Sequence, residues 1–161
     1  MTAQELASLI DAHGAALVLY ARQWSAAPED LVQGAFLKLV EQRRSPQEPL
    51  PWLFRVVRNA AIDAARGERR RQRRELAVAR PARWFAEPEI DGLDAEVAVA
   101  TLQGLPLEQR EAIVAHLWGG LSFEEIGEVA GCSASSAFRR YSAGLAALRQ
   151  ELGVTCPNNP T

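Results

Sequence analysis

The chain is poor in the residues that most enzymes and metal proteins depend on. Its 161 residues include two cysteines and two histidines. Cys132 and Cys156 stand far apart, with no metal-ligand spacing around them. That argues against a zinc site or a disulfide framework, and points to a reducing, cytoplasmic setting. His13 and His116 lie in separate helical stretches, with no nucleophile or acid at a recognisable spacing. Each reads as a helix-surface or packing histidine. No phosphate-cradling glycine loop is present either. These absences predict a protein that is not an enzyme, with no cofactor and no metal. No apolar run approaches the roughly 18 to 20 residues needed to cross a bilayer, so no membrane insertion is expected. The start, "MTAQELASLIDAHG", has early acids and no basic lead, unlike a secretory signal. Strand-favouring isoleucine, threonine and tyrosine are sparse, while alanine and leucine dominate. The expected fold is all-α.

What the chain does have is charge sorted by position. The overall formal charge is −2. Yet Arg55 to Arg80 holds nine arginines against Asp63, Glu68 and Glu75, a net of +6. From Trp84 to Glu128, ten acids face Arg110 alone, a net of −9. A basic segment beside an acidic one suggests a nucleic-acid-facing half and a half that avoids or modulates that contact. Solvated charge blocks on a helical protein would look similar.

The periodicity divides the chain into two small helical domains and a linker. Residues 3–23 read as one amphipathic helix, with Leu6, Leu9, Ile10, Leu17 and Tyr20 at helical spacings. A second helix opens at Pro28. Glu29 and Asp30 complement its N-terminal dipole, and Arg43 and Arg44 are expected to serve its far end. A third starts near Pro51, and Gly67 or the arginines beyond it decide where it stops. Residues 1–76 form the first domain and 77–92 the linker, which carries Pro81, Pro88, Gly92 and the adjacent Trp84 and Phe85. Those two aromatics suit packing on a lobe or docking to a partner. Residues 93–153 form the second domain, with helices expected near 94–103, 107–118, 122–130 and 134–151. Residues 154–161 are expected to be a disordered tail.

The most informative stretch is "LSFEEIGEVAGCSASSAFRRYSAGLAALR". Ser122 and Glu125 form a capping box. Gly131 can supply a left-handed turn, and Ser133 can cap the next helix. A short helix, a Gly-Cys-Ser turn and a longer helix make a helix-turn-helix. Ile126, Val129, Ala130, Ala137 and Leu145 face inward, and Gly127 permits a close crossing. Ser135, Ser136, Phe138, Arg139 and Ser142 remain on the front of the second helix, where recognition helices carry base-reading and phosphate-binding groups.

Three segments resemble the extracytoplasmic-function (ECF) sigma factors of the sigma-70 family. "PEDLVQGAFLKLV" resembles their region 2. "PWLFRVVRNAAIDAARGERRRQRRE" resembles the promoter-melting part that follows. "LPLEQREAIVAHLWGGLSFEEIGEVAGCSASSAFRRYSAGLAALR" resembles region 4. The resemblance covers residues 10 to 150 and implies a subunit that binds core RNA polymerase and directs promoter recognition and melting. It implies that Asp30, Leu31, Gln33, Phe36 and Leu37 meet the clamp helices of the polymerase's largest subunit, with Asp30 and Gln33 making the polar contact. It assigns Asn59 to a flipped base of the −10 element, since its amide both donates and accepts. Arg55, Arg58, Arg66, Arg69, Arg70 and Arg71 suit the strand's phosphates. Trp52 and Phe54 could stack near the strand fork, though Trp52 also suits a core. Asp63 fits best as the partner of a neighbouring arginine. Ser133, Ser135, Ser136, Phe138, Arg139, Arg140 and Ser142 fall to the −35 element. Gly34 stands where many relatives carry glutamate, and Phe138 where lysine is frequent. The partners implied are core RNA polymerase, promoter DNA and an anti-sigma protein. The acidic stretch 84–128 can face polymerase or water, or restrain the free chain from binding DNA. The alternatives are a stand-alone helix-turn-helix regulator and a sigma-like adaptor for a regulatory protein.

Overall fold

The computed structural model describes residues 1–72 and 100–153, which contain helices and turns and no strand. The linker with Trp84 and Phe85, the tail after residue 153 and Cys156 lie outside the described residues.

Helix α1 is Ala3–Ala21. Thr2 caps it: its hydroxyl accepts from the Glu5 amide at 3.2 Å, and Glu5 accepts from the Thr2 amide at 2.6 Å. Those hydrogen bonds hold the Glu5 carboxyl below its ordinary pKa. The residues Thr2 to Glu5, "TAQE", carry this box within four positions of sequence. Helix α2 is Pro28–Glu41, with Pro28 in its first turn. It ends at an extended Gln42, so Arg43 and Arg44 fall beyond the helix, and Lys38 is the cation of its last turn. Helix α3 is Pro49–Gln72. It opens two residues before Pro51, because prolines in a first turn forfeit no intrahelical bond. Gly67 does not stop it. Arg69, Arg70 and Arg71 occupy its last turn, where cations complement the dipole.

After a helical turn at residues 100–103, α4 spans Leu107–Ile113 and runs on as a π-helical segment, Val114–Trp118. Helix α5 is Phe123–Ala130, and α6 is Ala134–Glu151. The turn between them is built as the sequence predicts. Ser122 closes a capping box with Glu125, and Gly131 sits at φ 71°, ψ 38°. The Ser133 hydroxyl accepts from the Ser136 amide at 3.1 Å. A Cβ on Gly127 would lie 2.6 Å from the Cys132 carbonyl oxygen, so only glycine lets the turn fold back this tightly. Gly144 plays the same part on α6, where a Cβ would meet the Ile113 side chain at 2.6 Å.

Helices α1, α2 and α3 pack on one another around Leu17, Leu19, Val32, Leu39, Leu53 and Val57, all essentially inaccessible. The second lobe packs α4 and α5 on α6 around Leu102, Ile113, Leu121, Ile126 and Ala137. The two cores are continuous. Helix α1 packs on the π-helical segment, and α3 packs on α5. Phe54, which the sequence offers for stacking at a DNA fork, is completely buried here. Its ring comes so close to Gly119 of the other lobe that a Cβ there would stand 2.6 Å from its Cζ. Tyr20 lies edge-on to it, with ring centroids 4.8 Å apart.

Candidate polymerase and nucleic-acid interface

The first surface lies on α2. Asp30, Gln33, Leu37 and Val40 recur at helical spacing and share a face. Asp30 is exposed and Gln33 half-buried, while Leu37 and Val40 expose 65% and 55% of their surface. Two aliphatic side chains this open, side by side, are unusual for a helix that also carries core residues. The other two residues assigned to this contact differ. Leu31 is half-buried against the core, and Phe36 is 6% exposed within it. The Gln33 amide nitrogen is buried with no hydrogen-bond partner among the described residues. Val40 is absent from the sequence-based set. Its place three residues beyond Leu37 was the available signal.

The second surface is α3. Asn59, Arg69, Arg70 and Arg71 are exposed along it, and Trp52 is half-buried. Arg66 pairs with Asp63 one turn away at 3.8 Å, as Asp63's place among arginines suggested. Arg55 and Arg58 point elsewhere, toward the second lobe. Arg55 faces Glu128 at 3.7 Å. Arg58 Nε donates to Glu111 Oε1 at 2.5 Å, and the Tyr20 hydroxyl donates to the same oxygen at 2.6 Å. The Glu111 side chain is only 4% exposed. A carboxylate this buried is tolerated because a cation and a phenol satisfy it. Burial and the Glu111 charge push the Tyr20 phenol well above its ordinary pKa. For Arg58, burial pulls the pKa down, but its hydrogen bond and attraction to Glu111 outweigh that and leave it raised. Glu111 and Glu128 both belong to the acidic stretch, so two of its acids pair with arginines of α3, Glu111 buried and Glu128 still largely exposed.

The third surface is the front of α6. Ser135, Phe138 and Arg139 are exposed, and Ser136 and Ser142 half-buried. Arg139 donates to the Ser136 hydroxyl at 3.0 Å. Ser133 is exposed but holds the helix cap. Arg140 turns inward, pairing with Glu108 at 3.5 Å and donating to the Cys132 sulfur at 3.6 Å. His116 stacks on Phe123 at 4.4 Å, and its Nδ1 lies 2.7 Å from the Leu121 carbonyl oxygen. It is a packing histidine. The His13 pKa is lowered by burial on α1.

Comparison with known proteins decides what these three surfaces belong to. Residues 9–71 match the family Sigma-70 region 2, and residues 96–148 match Sigma-70, region 4. The RNA polymerase sigma factor CarQ of Myxococcus xanthus is 36% identical over 136 residues, covering 80% of this chain and 76% of that protein. The chain belongs to the sigma-70 family, as an ECF-type sigma factor. The ECF RNA polymerase sigma factor SigJ of Mycobacterium tuberculosis is 29% identical over 126 residues, covering 70% of this chain and 39% of that longer protein. Among solved structures, the sigma factor RpoE of Bartonella quintana, in complex with the anti-sigma factor NepR, superposes with a TM-score of 0.69 at 26% identity. The match covers 95% of this chain and 97% of that one. CnrH, in complex with the cytosolic domain of CnrY, shares the fold with a TM-score of 0.62 at 24% identity, over 96% and 92% of the two chains.

As a sigma factor the protein binds core RNA polymerase and directs recognition and opening of promoter DNA in transcription initiation. Sigma factors are generally non-enzymatic transcription regulators. Among the described residues, no helix is long and apolar enough to cross a membrane.

Proposed function

We propose that this sigma factor divides its work among the three surfaces. The exposed face of α2 meets core polymerase, with Leu37 and Val40 as the apolar contact and Asp30 and Gln33 as the polar one. The observation that carries this assignment is the pair of open aliphatic side chains, Leu37 and Val40, on the helical face that also presents exposed Asp30. A partner surface would bury them. Leu31 and Phe36 hold that helix against its core and act through position. The test is binding of the full chain to core polymerase, comparing the parent with Leu37→Glu and Gln33→Ala. Both changes should weaken binding while leaving the melting temperature close to that of the parent.

On α3, Asn59 hydrogen-bonds a flipped base of the −10 strand, and Arg66, Arg69, Arg70 and Arg71 hold its phosphates. Arg55 and Arg58 join them once the lobes separate, because in the closed arrangement both face acids of the second lobe. Binding to polymerase would thus have to open the molecule. Asn59→Ala should slow promoter opening by the holoenzyme without reducing its affinity for core. On α6, Ser135, Ser136, Phe138, Arg139 and Ser142 face the −35 duplex, with Ser133 holding the cap. Arg140 acts as an internal brace through Glu108 and Cys132.

Residues 1–76 and 93–153 act as the two domains, tethered by 77–92. The chain itself supplies no catalytic group and needs no cofactor, the chemistry being polymerase's. It works in the cytoplasm, where polymerase is. The likeness to RpoE bound to NepR supports an anti-sigma protein as a further partner.

A further inference from the structure

We infer that Phe138 reads the 5-methyl group of a thymine in the −35 duplex, which makes it a specificity-determining residue of this sigma factor. The inference rests on α6 entering the major groove. Phe138 is 52% exposed on the front of α6, beside Arg139. Its ring is braced from behind. Phe123 meets it edge-to-face, with centroids 5.2 Å apart and planes at 85°. Phe123 is in turn stacked on His116 at an interplanar angle of 20°. The ring is thus propped outward by a packed aromatic row and has little rotamer freedom left to lose on binding.

A phenyl ring neither donates nor accepts a hydrogen bond in the plane of a base pair. Against guanine, cytosine or adenine edges it would cover donors and acceptors and leave them unsatisfied. The thymine methyl is the one apolar group that base pairs present in the major groove, and a phenylalanine side chain is a known kind of partner for it. Arg139, held by the Ser136 hydroxyl, is left to a neighbouring phosphate or guanine.

The experiment uses holoenzyme reconstituted from the full chain and core polymerase, with promoter DNA randomised across the −35 region. The parent holoenzyme should enrich thymine at one or more positions. Replacing that thymine with deoxyuridine, which lacks only the methyl, should lower affinity roughly 4-fold per methyl. Holoenzyme carrying Phe138→Ala should bind the two DNAs equally. Equal binding by the parent holoenzyme, or undiminished discrimination by Phe138→Ala, would overturn the inference and turn Phe138 toward a protein partner instead. If the parent holoenzyme enriched no −35 sequence at all, the assignment of α6 to the −35 duplex would fall as well.

Discussion

Arg58 and Glu111, from different lobes, share a hydrogen bond and an ion pair at a largely buried point of contact between α3 and α4. The Tyr20 hydroxyl joins them on the same carboxylate oxygen. A buried pair of this kind contributes little against an apolar alternative, yet it is costly to break one-sidedly. It ties the two lobes together in the arrangement seen here. On the assignment proposed above, Arg58 then has two competing partners, Glu111 in this closed arrangement and a DNA phosphate in an open one.

Replacing Glu111 with alanine should therefore loosen the closed arrangement. The change strands a buried phenol and a mostly buried guanidinium, at a cost of about 3 kcal/mol. Small-angle scattering of the free chain should show a larger radius of gyration. Affinity for a single-stranded −10 oligonucleotide should rise as Arg58 is released. An unchanged radius and unchanged affinity would mean that the pair does not govern closure.

The same contact carries a pH dependence. The Tyr20 pKa is raised above the ordinary 10.0 in the folded chain. Below about pH 10 the phenol is neutral in both folded and unfolded chains, and its contribution to stability is complete. Above that, the unfolded chain loses its proton first, so stability falls until the pH passes the folded-state pKa. Melting temperatures between pH 8 and 11 should drop more steeply for the parent than for Tyr20→Phe, which has no proton to lose there.

Two glycines should respond in opposite ways to the same small change. At Gly119 a Cβ would stand 2.5 Å from the Ala115 carbonyl oxygen and 2.6 Å from the Phe54 ring. Gly119→Ala should cost about 1 to 3 kcal/mol through overpacking at the lobe contact. Gly34 lies within α2, with nothing within 4 Å of a Cβ position. Gly34→Ala should add about 0.5 to 1 kcal/mol through helix propensity. Thermal melts of the two variants check both signs.

How much of this was legible in the sequence depended on how local the cause was. The helix-turn-helix was readable because Ser122, Glu125, Gly131 and Ser133 act within a few residues of one another. The Asp63–Arg66 pair was readable for the same reason. The closed lobe contact was not. Tyr20, Arg58 and Glu111 each belong to a different helix, and no spacing rule joins them. In the sequence Glu111 was one acid among ten, and Arg58 one more phosphate-binding cation. Phe54 offered itself for stacking because its burial depends on Gly119 across the lobe boundary. Arg43 and Arg44 looked like helix-end cations, but the chain leaves the helix at Gln42, before them. Gly144 stood in the sequence as one small residue among the alanines of its helix. Its purpose, close approach to Ile113, appears once α4 and α6 are packed.

If the open face of α2 joins this sigma factor to RNA polymerase, a single charge placed on that face should disrupt the complex. The most direct test is the dissociation constant of the full chain for core polymerase, measured for the parent and for Leu37→Glu at matched folding stability. Tight binding by the parent and a loss of at least about 10-fold for the variant are expected, as for an interface anchor worth more than about 1.4 kcal/mol. Equal binding by the two chains would contradict it.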